Sequence, residues 1–244
     1  MLTIAGGPCE LLDAVRSLAR KTVELVDITA HRGQHPRIGA LDVVPFVPLR
    51  AGAMPDAVRA RDDFARWAGA ELALPCFLYG PLADRTVRTL PEVRRGAFRS
   101  MSPDHGPQRP HPSAGASAVG ARTPLVAYNL WLTGGDTSVV LARRVASAIR
   151  RREVRALGLE LEHGVQVSCN LVEPETVGPH HVYDEVAALL READGAGVVR
   201  IERCELVGLV PRRVLEQVPA SRRDQLGLSI EATIEARLEE RGIS

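Results

Sequence analysis

VRALGLELEHGVQVSCNLV, residues 154–172, decides the fold of the half of the chain in which it lies. Two runs rich in Val and Leu, residues 154–161 and 165–172, flank Glu162-His163-Gly164. A glycine-bearing turn between two such runs is the pattern of a β-hairpin. Upstream, Leu141, Val145, Ala148 and Ile149 recur at i, i+4, i+7 and i+8, one face of a helix that Asp136 or Thr137 can cap. Before that helix, RTPLVAYNLWL (residues 122–132) reads as a buried strand. Downstream, Val182, Val186, Leu189 and Leu190 line a second helix, residues 198–210 return as a strand, and Pro211 opens a short helix at its favoured first position. The order is β-α-β-β-α-β, the split βαβ of ferredoxin-like folds.

The other half has a different rhythm. Residues 2–5 read as a short strand, 8–28 as a helix with Leu11, Val15 and Leu18 on one face, 41–49 as a strand, 55–72 as a helix and 74–79 as a strand. Between the halves, residues 94–121 are rich in Gly, Pro, Ser and Ala and lack apolar periodicity, which predicts a loop or linker. After residue 221, interleaved Glu and Arg predict a solvated helical tail. The expected division is 1–93, 94–121, 122–220 and 221–244, in an α+β fold.

The 31 basic and 30 acidic side chains of this 244-residue chain nearly cancel, so neither nucleic acid nor a membrane is an expected partner, and a metabolite-sized molecule is. Cys9, Cys76, Cys169 and Cys204 are widely separated and form no CxxC pair. That argues against a zinc site and a secreted disulfide framework, and for a reducing, cytoplasmic location.

Ionisable chemistry concentrates in HRGQHPRIGALDVVPF, residues 31–46. His31 and His35 stand four apart, the spacing of two metal ligands on a helix, but Gly33 and Pro36 argue against a regular helix there and no metal is expected. Two readings of these histidines stay open: caps of the preceding helix, or acid/base chemistry near neutrality. Arg32, Arg37 and Arg122 could each fork a carboxylate. Asn129 and Asn170, amides within apolar strands, mark a polar network or a ligand contact.

Taken together these residues resemble the formiminotransferase family. Gly33-Gln34-His35-Pro36-Arg37, Gly39-Ala40-Leu41-Asp42-Val43 and Pro45-Phe46 follow its central signature, and Leu78-Tyr79-Gly80, Leu90-Pro91 and Asp104-His105-Gly106-Pro107 continue it. In the second half Ala127-Tyr128-Asn129, Gln166-Val167-Ser168-Cys169-Asn170, His181-Val182-Tyr183-Asp184-Glu185 and the run from Glu205 to Pro211 match in order. The resemblance implies two ferredoxin-like subdomains, usually in a homodimer. It implies transfer of a formimino group between N-formiminoglutamate and N5 of tetrahydrofolate, the latter as co-substrate. It makes His35 the catalytic acid/base. It also turns the linker into a folate-site loop of Gly106, Pro107, Gln108, Arg109, Pro110, His111, Pro112, Ser113, Ala114 and Gly115. Arg37 and Asn129 are our candidates for further substrate contacts. Family members carry a further strand, helix and strand before the point matching Met1, so the first subdomain is expected to be incomplete at its N-terminus. Residue 131 is Trp where the family has asparagine. A related N5 formyl transferase and a catalytically impaired folate-binding paralogue are the alternative readings.

Overall fold

The computed structural model describes residues 2–31, 37–50, 52–194 and 198–242. The chain divides into two units, residues 2–123 and 124–242, each built on its own four-stranded sheet.

In the first unit the helix α1 (Pro8–Leu25) is followed by β1 (Val43–Phe46), α2 (Met54–Glu71), β2 (Cys76–Pro81), β3 (Val87–Arg88), α3 (Leu90–Gly96) and β4 (Ser117–Ala121). The sheet runs β1-β4-β2-β3, with β1 and β2 both parallel to β4 and β3 antiparallel to β2. Because strand side chains alternate in direction, β1, β2 and β4 each feed two cores. Val44, Phe46, Cys76, Leu78, Val119 and Ala121 join Ala57, Phe64, Ala65 and Ala68 of α2 and Ala19 of α1. Phe77, Tyr79 and Ala118 join Val93 of α3. Arg61, 1% exposed, donates from α2 to the carbonyls of Tyr79 and Pro81 and to the Asp62 carboxylate, tying the helix to the end of β2.

Residues 2–5 form no strand: none of the described strands pairs with them, and Leu2 is 72% exposed, so the stretch has no ladder to join. The composition-based linker reading of 94–121 is also incomplete. Its first residues finish α3, and its last five form β4, the strand between β1 and β2.

The second unit holds β5 (Val126–Thr133), α4 (Val139–Ile149), β6 (Val154–Leu161), β7 (Gly164–Leu171), α5 (Pro179–Asp194), β8 (Arg200–Val207), α6 (Arg212–Glu216) and α7 (Ile234–Glu239). Its sheet is antiparallel throughout in the order β6-β7-β5-β8, the ferredoxin-like arrangement that the sequence pattern predicts. Val126, Tyr128, Leu130, Val167, Cys169 and Leu171 face the helices and meet Ala142, Val145, Ile149, Val182, Val186 and Leu190. The cap of α4 is Ser138, whose hydroxyl accepts from Leu141 N at 3.3 Å, rather than Asp136 or Thr137. Pro211 precedes α6 as its cap. The tail is less solvated than its charges suggest: Leu226 and Leu228 are buried in the core, and Tyr128 Oη donates to Leu226 O at 2.7 Å.

Candidate functional site

The loop from Gly106 to Gly115 is anchored at its start by a backbone exchange with β2. Asp104 N and His105 N donate to Cys76 O, and Cys76 N donates back to His105 O at 2.9 Å. The Asp104 carboxylate accepts from Leu78 N at 2.7 Å and from the Arg88 guanidinium at 2.6 Å, which fixes the residues leading into the loop. Burial, with the Asp104 charge adding to it, pushes the Cys76 thiol up to about 12. Cys76 is fully buried, a residue of the core.

The far end of the loop closes on itself. His111 N donates to Gly115 O at 2.7 Å and Gly115 N to His111 O at 3.0 Å. Inside this ring the His111 imidazole Nδ1 accepts from Ala114 N at 3.1 Å and Ser113 N at 3.4 Å. The carbonyls of the same two residues point outward to other partners: Ser113 O accepts from Ile28 N at 2.8 Å, and Ala114 O from Ala40 N at 2.9 Å. Ala116 N completes the seam by donating to Ile38 O at 2.9 Å. Gly39 and Gly115 bridge directly, and a Cβ on Gly39 would collide with Ala116 O. Between the two anchors Gln108, Arg109 and Pro110 are exposed.

His35 lies outside the described residues, as do Arg32, Gly33, Gln34 and Pro36. Their flanks are well defined. Ahead of them the Asp27 carboxylate accepts from Thr29 N and Oγ1, closing the turn Ile28–Ala30. Behind them Arg37, exposed, donates to His31 O, and Asp42 Oδ1 accepts from Ile38 N at 2.7 Å. Arg94 of α3 pairs with the Asp42 carboxylate and holds that turn in place. The structure thus brings the Gly106–Gly115 loop against both flanks of the segment that carries His35. Asp42, Arg94 and Asp104 escaped the sequence reading as site-building residues, although Asp42 and Asp104 stand inside the motifs quoted for the resemblance.

Asn129 belongs to the second unit. Its Nδ2 donates to Glu205 Oε2 at 3.1 Å, and Trp131 Nε1 donates to the same oxygen at 2.9 Å. These donors hold the Glu205 carboxyl below its usual range, Trp131 contributing most. Arg203 stacks over the Trp131 ring at 4.3 Å. Gln166 and Ser168 share this face, in register with Trp131 and Asn129, whereas Asn170 is exposed. The face is a polar network on the side of the sheet opposite the helices, and Trp131 is part of its bonding. Glu205, quoted only as the start of a run matched to the family, and Arg203 were given no role from the sequence, because charges in an edge strand read as solvated.

Among the described residues no group of three or more His, Cys, Asp or Glu side chains is placed to hold a metal ion, and no helix is long and apolar enough to cross a membrane.

Residues 1–122 match the family model for the formiminotransferase domain, N-terminal subdomain. The chain is 37% identical over 236 residues to a formimidoyltransferase-cyclodeaminase of Gallus gallus, a match covering 87% of this chain and 42% of that protein. It is 35% identical over 236 residues to a glutamate formimidoyltransferase of Streptococcus pyogenes serotype M1, covering 89% of this chain and 77% of the relative. A glutamate formimidoyltransferase of Thermoplasma acidophilum is 34% identical over 237 residues, covering 89% and 76%. The chain therefore spans less than half the length of the two-function relative and about three quarters of the single-function ones.

Proposed function

The chain belongs to the formiminotransferase family, and from that premise we propose that it moves a formimino group between N-formiminoglutamate and N5 of tetrahydrofolate, with His35 as general acid/base. Attack of N5 on the amidine carbon forms a C–N bond and a tetrahedral centre. The His35 imidazole takes the proton that leaves N5 and delivers a proton to the departing glutamate nitrogen as the old C–N bond breaks. One imidazole serves both transfers in turn, a contribution of roughly 10²–10⁴-fold. Residues Gly106 to Gly115 contact the folate, Arg37 offers a fork to a substrate carboxylate, and Asn129 presents an amide already oriented by Glu205. A homodimer and a cytoplasmic location complete the reading. All four cysteines are free.

The observation that carries this reading is the seam between the loop and the signature segment. Two stretches well apart in sequence, which the resemblance assigns to folate and to catalysis, meet through Ile28, Ile38, Gly39 and Ala40 on one side and Ser113 to Ala116 on the other. The test is to incubate the protein with tetrahydrofolate and N-formiminoglutamate and follow formimino-tetrahydrofolate by mass spectrometry. N-formylglutamate serves as the competing donor. Transfer from the formyl donor alone would replace this reading with formyl transfer, and folate binding without transfer would leave a binding protein.

A further inference from the structure

His111 lies in the folate loop, yet its ring nitrogen is spent on the loop itself. Nδ1 accepts from the amides of Ser113 and Ala114, which requires a lone pair there and therefore the neutral tautomer with its proton on Nε2. Each of those two residues is thereby gripped on both sides. Its N–H is held by the imidazole, and its carbonyl holds Ile28 N or Ala40 N. Ile28 lies four residues before the segment 32–36, and Ala40 four residues after it.

We propose that His111 is a positioning residue: by clamping the Ser113 and Ala114 amides it aims their carbonyls at Ile28 and Ala40, and so fastens both flanks of the His35 segment to the folate loop. This rests on the reading of His35 and the loop given above. The clamp couples the two halves of the chemistry. A loop set for folate holds the flanks at the spacing transfer needs, and a loosened tip releases them. Misplacing a reacting group by about 1 Å costs on the order of 10²-fold in rate, so the clamp matters even if the ring touches neither substrate.

The inference is tested with His111→Ala and His111→Asn. The Asn Oδ1 is attached to Cγ, as Nδ1 is in histidine, so it can accept from the same two amides, whereas Ala cannot. Amide hydrogen exchange of the ligand-free protein is read at Ile28 and Ala40. Exchange there should accelerate about fivefold or more in His111→Ala and return to within about threefold of the wild type in His111→Asn, matching the loss and recovery of bonds of ordinary strength. Turnover should follow the same order, with kcat down about tenfold or more in the alanine variant and largely restored by asparagine. Unchanged exchange at Ile28 and Ala40 in His111→Ala, or an asparagine variant as fast-exchanging as alanine, would overturn the proposal. The exchange arm decides this even if the wild type transfers no formimino group, a result that would sink the functional reading alone.

Discussion

Gly39 and Gly115 meet where the loop tip crosses the chain behind the signature segment, and neither position has room for a side chain. A Cβ on Gly39 would strike the carbonyls of Ala116 and Ala114, and Gly115 has φ +70° besides its contact with Ile38. Gly39→Ala should therefore lose about 1–3 kcal/mol, the cost of forcing a methyl into a packed contact. Denaturant unfolding measures it, and a loss near zero would show that the seam can shift. Glu205 makes a prediction of a different kind. Its two N–H donors stabilise the carboxylate, so its folded pKa is depressed below the ordinary 4.5. The stability it contributes is present above about pH 4.5 and drains away as pH falls through the lowered value. Glu205→Gln should flatten the acid limb of the stability curve, and an unchanged limb would show that Trp131 and Asn129 do not depend on that charge.

At the scale of elements, β4 shows what sequence can hide. Ser117, Ala118, Val119, Gly120 and Ala121 look like loop composition, yet all five are buried between two cores. The reason is space. The Tyr79 ring lies across Gly120 and would overlap any Cβ there, so a central strand in this sheet needs small residues and loses its apolar signature. The antiparallel unit was legible because large side chains face the helices on one side of its sheet while the other side carries Asn129, Trp131 and Gln166. Helix phase was less secure: Ala148, assigned to the buried face of α4, is exposed, while Ala142 and Ala146 are buried. The short α3 had a legible cap in Thr89 and Glu92, whose capping box went unnoticed beside a proline-rich stretch. The start of α5 carries a testable consequence. His180 and His181 stack with ring centroids 3.8 Å apart, and His181 Nδ1 accepts from Gly178 N at 3.0 Å. Burial, with His181 and Arg222 adding to it, holds His180 below its ordinary 6.5. The unfolded chain then protonates first, so this contribution is intact above about pH 6.5 and is lost as pH drops below it. Denaturation at pH 7.5 and 5.5 should show a stability loss that His180→Gln reduces; equal losses in both proteins would rule out His180 as the cause.

Over the whole molecule, the chain forms two units, each on its own four-stranded sheet, and the family model and the relatives place it in one family. The acid/base role proposed for His35 rests on the resemblance alone. Composition and spacing left His35 open between a helix cap and catalysis, because a histidine in a turn suits either. Fold physics adds the bonding of the flanks and of the loop that reaches them. The most direct measurement is the rate of formimino-tetrahydrofolate formation by wild type and His35→Ala at saturating folate and N-formiminoglutamate, with folate affinity measured alongside. The account predicts transfer by the wild type, a loss of roughly 10²-fold or more in the variant, and little change in folate affinity, since the imidazole acts in the transition state. Undiminished transfer by His35→Ala would contradict it.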